Sequence, residues 1–479
     1  MARGVTVAGR TIVVDVGKTH TKASLWGPGA ELIERRWRAN EPQPEHRGRW
    51  PALDVHGIDA WLMEALRELA ADGPVARIVT VAHGAAAALV RRGRLYAEPM
   101  DYEIEVSPTD RAEYDAQRAA FAKTGSPALP QGLNLGFQLH LLEKALGRFP
   151  DDLLIVPWPQ YWSWRFSGVA ASEVTSLGCH TDLWQPTEGA FSELAVRRGW
   201  AARLAPLRRA GEALGTIRPE LAAATGLNAD CQVLCGLHDS NAALLAARGH
   251  REVAGREATV LSTGTWFVAM RSVAAGSRFD IGELDEARDC LVNVDVDGRP
   301  TPSARFMGGR EAELAAGADA FRLTDACAPA NLLARVPDVI RRPMLALPGF
   351  VAGVGPYPDA RGRWIHRSEE PLERRVAADL YLALVACTTL DLIGSRERLL
   401  VDGRFAHEAP FVRALAALRP AQRVYTSSAE HDIAYGALRL VDPGLPPASG
   451  LTPVEPLTVD LTDYAAQWRA LAGREAEAS

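Results

Sequence analysis

The sequence predicts an α/β protein with two large domains, and three observations carry that prediction. Apolar strands alternate with amphipathic helices, the order that builds layered α/β architectures. The 479 residues exceed what one hydrophobic core organises. A strand, a polar glycine turn and a returning strand occupy residues 11–26, and the pattern recurs at residues 257–270.

The elements follow in order. Thr11, Ile12, Val13 and Val14 form a β-branched run that ends in Asp15 and Gly17, and apolar character resumes at Ala23, Leu25 and Trp26. A further strand reaches Arg38, and a loop rich in Pro, Arg and His covers residues 40–51. Trp61, Leu62, Ala65, Leu66 and Leu69 recur at helical spacing and predict a helix over 58–70. Residues 77–82 read as a buried strand that ends at His83-Gly84. Residues 102–126 read as irregular and exposed, and helical periodicity returns at 138–146. A strand at 153–157 runs into an aromatic concentration, Trp158, Tyr161, Trp162 and Trp164, read mainly as core. Residues 172–184 read as a surface excursion and 197–207 as a helix. A strand at 231–236 delivers His238 and Asp239 ahead of a small-residue helix.

In the second half, residues 257–261 and 266–270 form a hairpin around Ser262, Thr263, Gly264 and Thr265. Gly308 and Gly309 open a helix and allow close backbone approach. A long helix spans 371–395, a strand at 399–401 ends at Asp402, Gly403 and Arg404, and a helix covers 410–418. A strand at 424–426 and a helix at 433–440 follow.

Composition excludes several classes. The chain is 47% hydrophobic and 23% charged, as soluble globular domains are. A net charge of −6, a pI near 6.0 and arginines without a basic tract argue against nucleic-acid binding. No helix-turn-helix fits into the ten residues before Thr11. There is no secretory apolar core at the start and no apolar run of membrane length, so the expected compartment is cytoplasmic. Cys231 and Cys235 enclose three residues, no second cluster completes a zinc site, and the six cysteines read as reduced thiols.

The chemistry sits at strand ends. A polar glycine turn can aim N–H groups, hydroxyls and a lysine at an anion, and a carboxylate beside it can hold a largely hydrated Mg²⁺. Gly17-Lys18-Thr19 is not a Walker P-loop, because the position five before Gly17 is Ile12 rather than glycine. Asp239 has two readings, a general base at the domain mouth or, with Ser240, a helix cap.

Together these residues resemble the FGGY carbohydrate kinases of the actin, hexokinase and Hsp70 superfamily. The resemblance rests on Asp15–Lys22 (DVGKTHTK), Ser262–Trp266 (STGTW), Gly236–Ala243 (GLHDSNAA) and Val401–Phe405 (VDGRF), and covers nearly the whole chain. It implies two ribonuclease H-like domains around a central cleft, residues 1–245 for sugar and catalytic base and residues 246–479 for nucleotide. It implies ATP and Mg²⁺ as cofactors, with Asp239 as base and Asp15 on the metal. Gly17, Lys18, Thr19, Lys22, Gly264 and Thr265 would serve the phosphates, and Gly403 the adenosine. His83, Gly84, His238 and, more weakly, Trp158 would meet the sugar. The family usually has Thr, Ala or Gly at the place of Lys18, which leaves a phosphate contact or a solvent-facing side chain open. The adenosine loop departs from the common GGG or GGA. His238-Asp239 is similar to the rhamnulose and fuculose kinase branch, which points to a deoxy-ketose. Kinases of xylulose, ribulose or glycerol, and a catalytically weak sugar- and ATP-binding regulator, are the alternatives. A homodimer is compatible with the sequence, which does not decide the oligomeric state.

Overall fold

Strand β1 (Arg10–Val16) explains the architecture of the first half through the two environments of its side chains. Side chains alternate across a strand. Ile12, Val14 and Val16 pack with Leu62, Leu66 and Leu69 on one face, while Val13 packs with Val79, Val81, Ala242 and Leu438 on the other. Both faces are covered, so the run is apolar throughout rather than alternating. The computed structural model describes residues 9–46, 50–274, 276, 279–321, 328–427, 433–447 and 449–478.

β1 pairs antiparallel with β2 (His20–Trp26), and β2 with β3 (Leu32–Ala39). Helix α1 (Val55–Ala70), capped by Asp54 on the Gly57 amide, delivers the chain to β4 (Val75–Ala82). β4 lies parallel to β1 with Ala82 opposite Val16, and β5 (Gln232–Leu234) and β6 (Leu237–His238) both lie parallel to β4. Helix α2 (Asp239–Ala247) starts where β6 ends. These elements belong to a first unit that reaches residue 249 and also takes in residues 292–300 and 433–447.

The second unit has its own sheet. Within it β7 (Ala258–Thr263) and β8 (Phe267–Ser272) form the second hairpin, and β8 pairs with β9 (Pro300–Phe306). Helix α3 (Gly308–Ala316) follows. β7 lies parallel to β10 (Arg398–Gly403), and β10 parallel to β11 (Arg423–Ser427). The helix Pro371–Leu392 is buried along almost its entire length.

Four expectations need correction. Residues 40–51 carry a short ribbon, Gln43–His46 with Trp50–Ala52, and 47–49 lie outside the described residues. Residues 102–126 contain the helix Pro108–Asp115, capped by Ser107, and its Tyr114 is buried with its hydroxyl 2.7 Å from Asp182. The helix expected over 197–207 is instead Glu193–Arg197, because Gly199 takes a left-handed φ of +72°. Residues 172–184 are not a surface excursion: Ser172, Glu173, Thr175, Leu177 and Cys179 are all fully buried. The five described cysteines are free and buried.

Candidate active site

The parallel pairing of β4 with both β1 and β6 brings three predicted segments to neighbouring strand ends. At the end of β1, Asp15 lies opposite Lys22, whose ammonium is 3.8 Å from its Oδ2. The turn closes when the Gly17 N–H donates to the His20 carbonyl at 2.9 Å. Asn40, just past β3, braces that turn and was missed from sequence. Its Nδ2 donates to the Gly17 carbonyl at 2.9 Å, its Oδ1 accepts from the Thr21 hydroxyl at 2.9 Å, and its amide donates to the Thr19 carbonyl at 2.8 Å. Only an asparagine after a strand marks it in the sequence.

Lys18 does not face solvent. Its ammonium is ion-paired with buried Asp101, stands 3.3 Å from Glu103 and lies 4.8 Å from the centre of the Tyr102 ring. Nothing in the local sequence signals this partner, which lies far along the chain.

His83 follows β4 with its ring 5.9 Å from that of Tyr102 and 6.4 Å from that of Trp158. Its Nδ1 is 2.5 Å from the Gly84 carbonyl, which assigns the proton to Nδ1 and leaves Nε2 as an acceptor. Burial, the largest cause, holds its pKa below the ordinary imidazole value. Gly84 has no room for a side chain: a Cβ would stand 2.9 Å from Cys179 Sγ and 3.0 Å from His238 Nε2. Trp158 is buried against Tyr161, as the core reading expected, and borders His83.

His238 ends β6 and is likewise held neutral by burial. Its Nδ1 is 3.4 Å from Asn241 Nδ2, and its Nε2 is 3.2 Å from Asp239 Oδ1. Asparagine Nδ2 can only donate, so Nδ1 accepts and the ring proton sits on Nε2. Asp239 Oδ1 also takes the Ser240 amide at 2.5 Å and the Ser240 hydroxyl at 3.2 Å. Both Ser240 donors reach Oδ1, and the side chain keeps 26% of its surface exposed. The cap position of α2 belongs to His238, whose side chain makes no cap bond, while Asp239, the first helical residue, takes the Ser240 amide.

The second unit gathers three predicted glycines at the ends of β7 and β10. The Gly264 N–H donates to the Trp266 carbonyl at 3.1 Å, and a Cβ on Gly264 would make only an ordinary contact, 3.9 Å from that oxygen. The Gly309 N–H donates to the Thr265 carbonyl at 3.2 Å, and a Cβ on Gly309 would stand 2.3 Å from the Gly264 carbonyl oxygen. Gly403 pairs with Thr263 at a φ of +83°, where a Cβ would stand 2.2 Å from the Thr263 oxygen. The Thr263 hydroxyl donates to the Asp402 carbonyl and accepts from the Phe405 amide at 3.0 Å. Arg404 lies over the Phe405 ring, 5.4 Å from its centre. Among the described residues no group of three potential ligands could by itself hold a metal ion.

Residues 255–448 match the carbohydrate kinase FGGY C-terminal domain. Across 98% of this chain and 99% of the other, the sequence is 51% identical to a carbohydrate kinase from Novosphingobium aromaticivorans, with a TM-score of 0.93. The chain belongs to the FGGY carbohydrate kinases. Two more distant structures share its fold. The xylulose kinase from Rhodospirillum rubrum is 18% identical over 97% of this chain and 98% of its own, with a TM-score of 0.76. The Plasmodium falciparum glycerol kinase with ADP is 12% identical over 97% and 98%, with a TM-score of 0.75. The FGGY assignment drawn from the motifs is thereby borne out, and with it the two ribonuclease H-like domains and carbohydrate kinase activity. No helix among the described residues is long and apolar enough to cross a membrane.

Proposed function

We propose that this FGGY kinase transfers the γ-phosphate of ATP to a hydroxyl of a small deoxy-ketose such as L-rhamnulose or L-fuculose, with Asp239 as general base. The observation that carries the reading is the asymmetry of Asp239: both Ser240 donors and the approach of His238 fall on Oδ1, and the side chain is partly exposed. The other oxygen is the one that would take the proton of the attacking hydroxyl. His238, whose pKa burial holds below the ordinary imidazole value, brings Nε2 to 3.2 Å from Oδ1. The neutral His83 offers Nε2 to a second sugar hydroxyl, and Trp158 and Gly84 shape the same pocket wall.

Phosphoryl transfer asks for positioning and charge neutralisation rather than covalent chemistry. In this reading the turn at Gly17, Lys18 and Thr19, with Lys22, serves the transferring phosphate in the first unit. Gly264 and Thr265 serve the other phosphates in the second, and Gly403 the adenosine. Asp15 suits a magnesium ion, which needs only one or two protein carboxylates beside waters and phosphate oxygens. Lys22, its half-exposed neighbour, can turn aside. When bound, the ion would neutralise phosphate charge. In this reading the sugar and the base belong to the first domain and most of the nucleotide to the second.

The test is a coupled ADP-release assay with ATP, Mg²⁺ and a panel of ketoses, aldoses and polyols, beside Asp239→Ala. Turnover on a deoxy-ketose that vanishes in the variant is expected. Turnover that survives the substitution removes Asp239 from the base role. Preference for xylulose, ribulose or glycerol replaces the substrate class. ATP binding without turnover on any sugar favours a sugar-responsive regulator.

A further inference from the structure

Glu173 is a fully buried acid that the proposed chemistry does not use. It caps the single helical turn Val174–Leu177, where its Oε2 accepts from the amides of Thr175 at 2.9 Å and Ser176 at 3.3 Å. The same oxygen accepts from the Thr175 hydroxyl. A threonine hydroxyl has one proton to give and lone pairs to receive. With its proton committed to Glu173, Thr175 Oγ1 receives the backbone N–H of His238 at 3.0 Å. A helix cap alone would have ended at the amides of its own turn. This one continues, through a side chain, into the strand end that carries Asp239.

We propose that Glu173 is a positioning residue for Asp239, acting through the Thr175 hydroxyl on the His238 backbone. The inference rests on the reading of Asp239 as base. β6 is only two residues long, and Asp239 is the first residue of α2, so the His238 peptide is the joint between them. A tilt of that peptide swings the carboxylate, and displacement by about 1 Å at a reacting group costs roughly 100-fold in rate. Glu173 Oε1 is buried without a partner, so a proton there leaves Oε2 available to Thr175. Burial pushes the carboxyl up to about 7. The titratable groups that face this region are Cys179 and Cys235, both driven up by burial, His238, driven down by burial, and the Asp239 side chain. A charged carboxylate holds the hydroxyl more strongly than the acid does, so the relay tightens as Glu173 ionises.

The experiment measures kcat and KM on the purified full chain for Thr175→Val, Thr175→Ser and Glu173→Gln, with Asp239→Asn alongside. Thr175→Val is expected to lower kcat about 10- to 100-fold while KM for ATP stays unchanged. Thr175→Ser, which keeps the hydroxyl, is expected to retain wild-type kcat. Wild-type kcat in Thr175→Val, or equal loss in valine and serine variants, overturns the relay. Should Thr175→Val fail to fold, Glu173→Gln decides: the inflection near pH 7 in the wild-type kcat profile is lost, and an unchanged profile overturns the proposal. Loss in Asp239→Asn with normal Thr175→Val turnover defeats the relay alone. Turnover retained in Asp239→Asn defeats the base reading and the relay with it.

Discussion

Replacing Gly309 with alanine tests the second hairpin as the phosphate site. A Cβ on Gly309 would stand 2.3 Å from the Gly264 carbonyl oxygen and 3.1 Å from Thr265 Cα. Both neighbours are backbone, so no side-chain rotation relieves the contact. Real Cβ atoms essentially never come within 3.0 Å of another heavy atom, so the Gly264–Thr265 peptide must retreat. A retreat of about 1 Å costs roughly 100-fold when the displaced groups position the nucleotide that carries the reacting phosphate. That is about 2.7 kcal/mol of transition-state stabilisation. The assay is steady-state kinetics with ATP varied at saturating sugar, plus a thermal melt. Gly450→Ala, where a Cβ meets nothing, is the control. The expected result is a kcat/KM for ATP down by about two orders of magnitude with KM for sugar unchanged. A folded Gly309→Ala enzyme with normal ATP kinetics would refute the placement of phosphate at Gly264 and Thr265.

Three further outcomes are expected. Gly84→Ala presses on Cys179 and His238, an overpacking worth about 1–3 kcal/mol, and should cut turnover. Adding Cys179→Ala should restore part of it, and a kinetic comparison of single and double variants checks this. The Glu173 carboxyl, raised to about 7 by burial, contributes stability that is full below pH 4.5 and lost as pH rises through 7. Glu173→Gln lacks that titration, so its melting temperature should gain on wild type across this window by the equivalent of about 3 kcal/mol at most. A constant offset between the two melting curves would contradict the buried-acid account. Asp15→Asn should raise the Mg²⁺ concentration needed for half-maximal turnover while leaving sugar affinity alone. Titration of Mg²⁺ at fixed ATP reads this directly.

What was legible in the sequence was local. The hairpin around Gly17, the helix through Leu62 and Leu66, and the glycine turn at Gly264 announce themselves through neighbouring residues. The helix Pro108–Asp115 was also announced, by Ser107 at its cap and Pro108 in its first turn, but its polar face masked the buried Tyr114. Residues 172–184 misled for a physical reason. Polarity reads as exposure, yet Glu173, Thr175 and Asp182 spend their polar atoms on each other, on backbone and on Tyr114, Ser126 and His238. Candidate chemistry at strand ends could be read from Asp15, His83 and Asp239. The supports of those groups could not, because Asn40, Asp101 and Thr175 meet their partners across folds of chain that no local pattern encodes.

The return of residues 433–447 to the first unit has a consequence for how the protein is made. The helix Ile433–Val441 packs against α2 so closely that a Cβ on Gly436 would stand 1.8 Å from the Ala242 carbonyl. Val13, Val79, Val81 and Ala246 share its apolar cluster. During synthesis roughly 180 residues separate the end of the first block from this helix. At about 5–20 residues per second that is about 10–40 s during which the segment bearing Asp239 lacks this helix on the ribosome. The first domain to be started is therefore completed only after most of the second has been made, and until then its apolar seam lacks this cover.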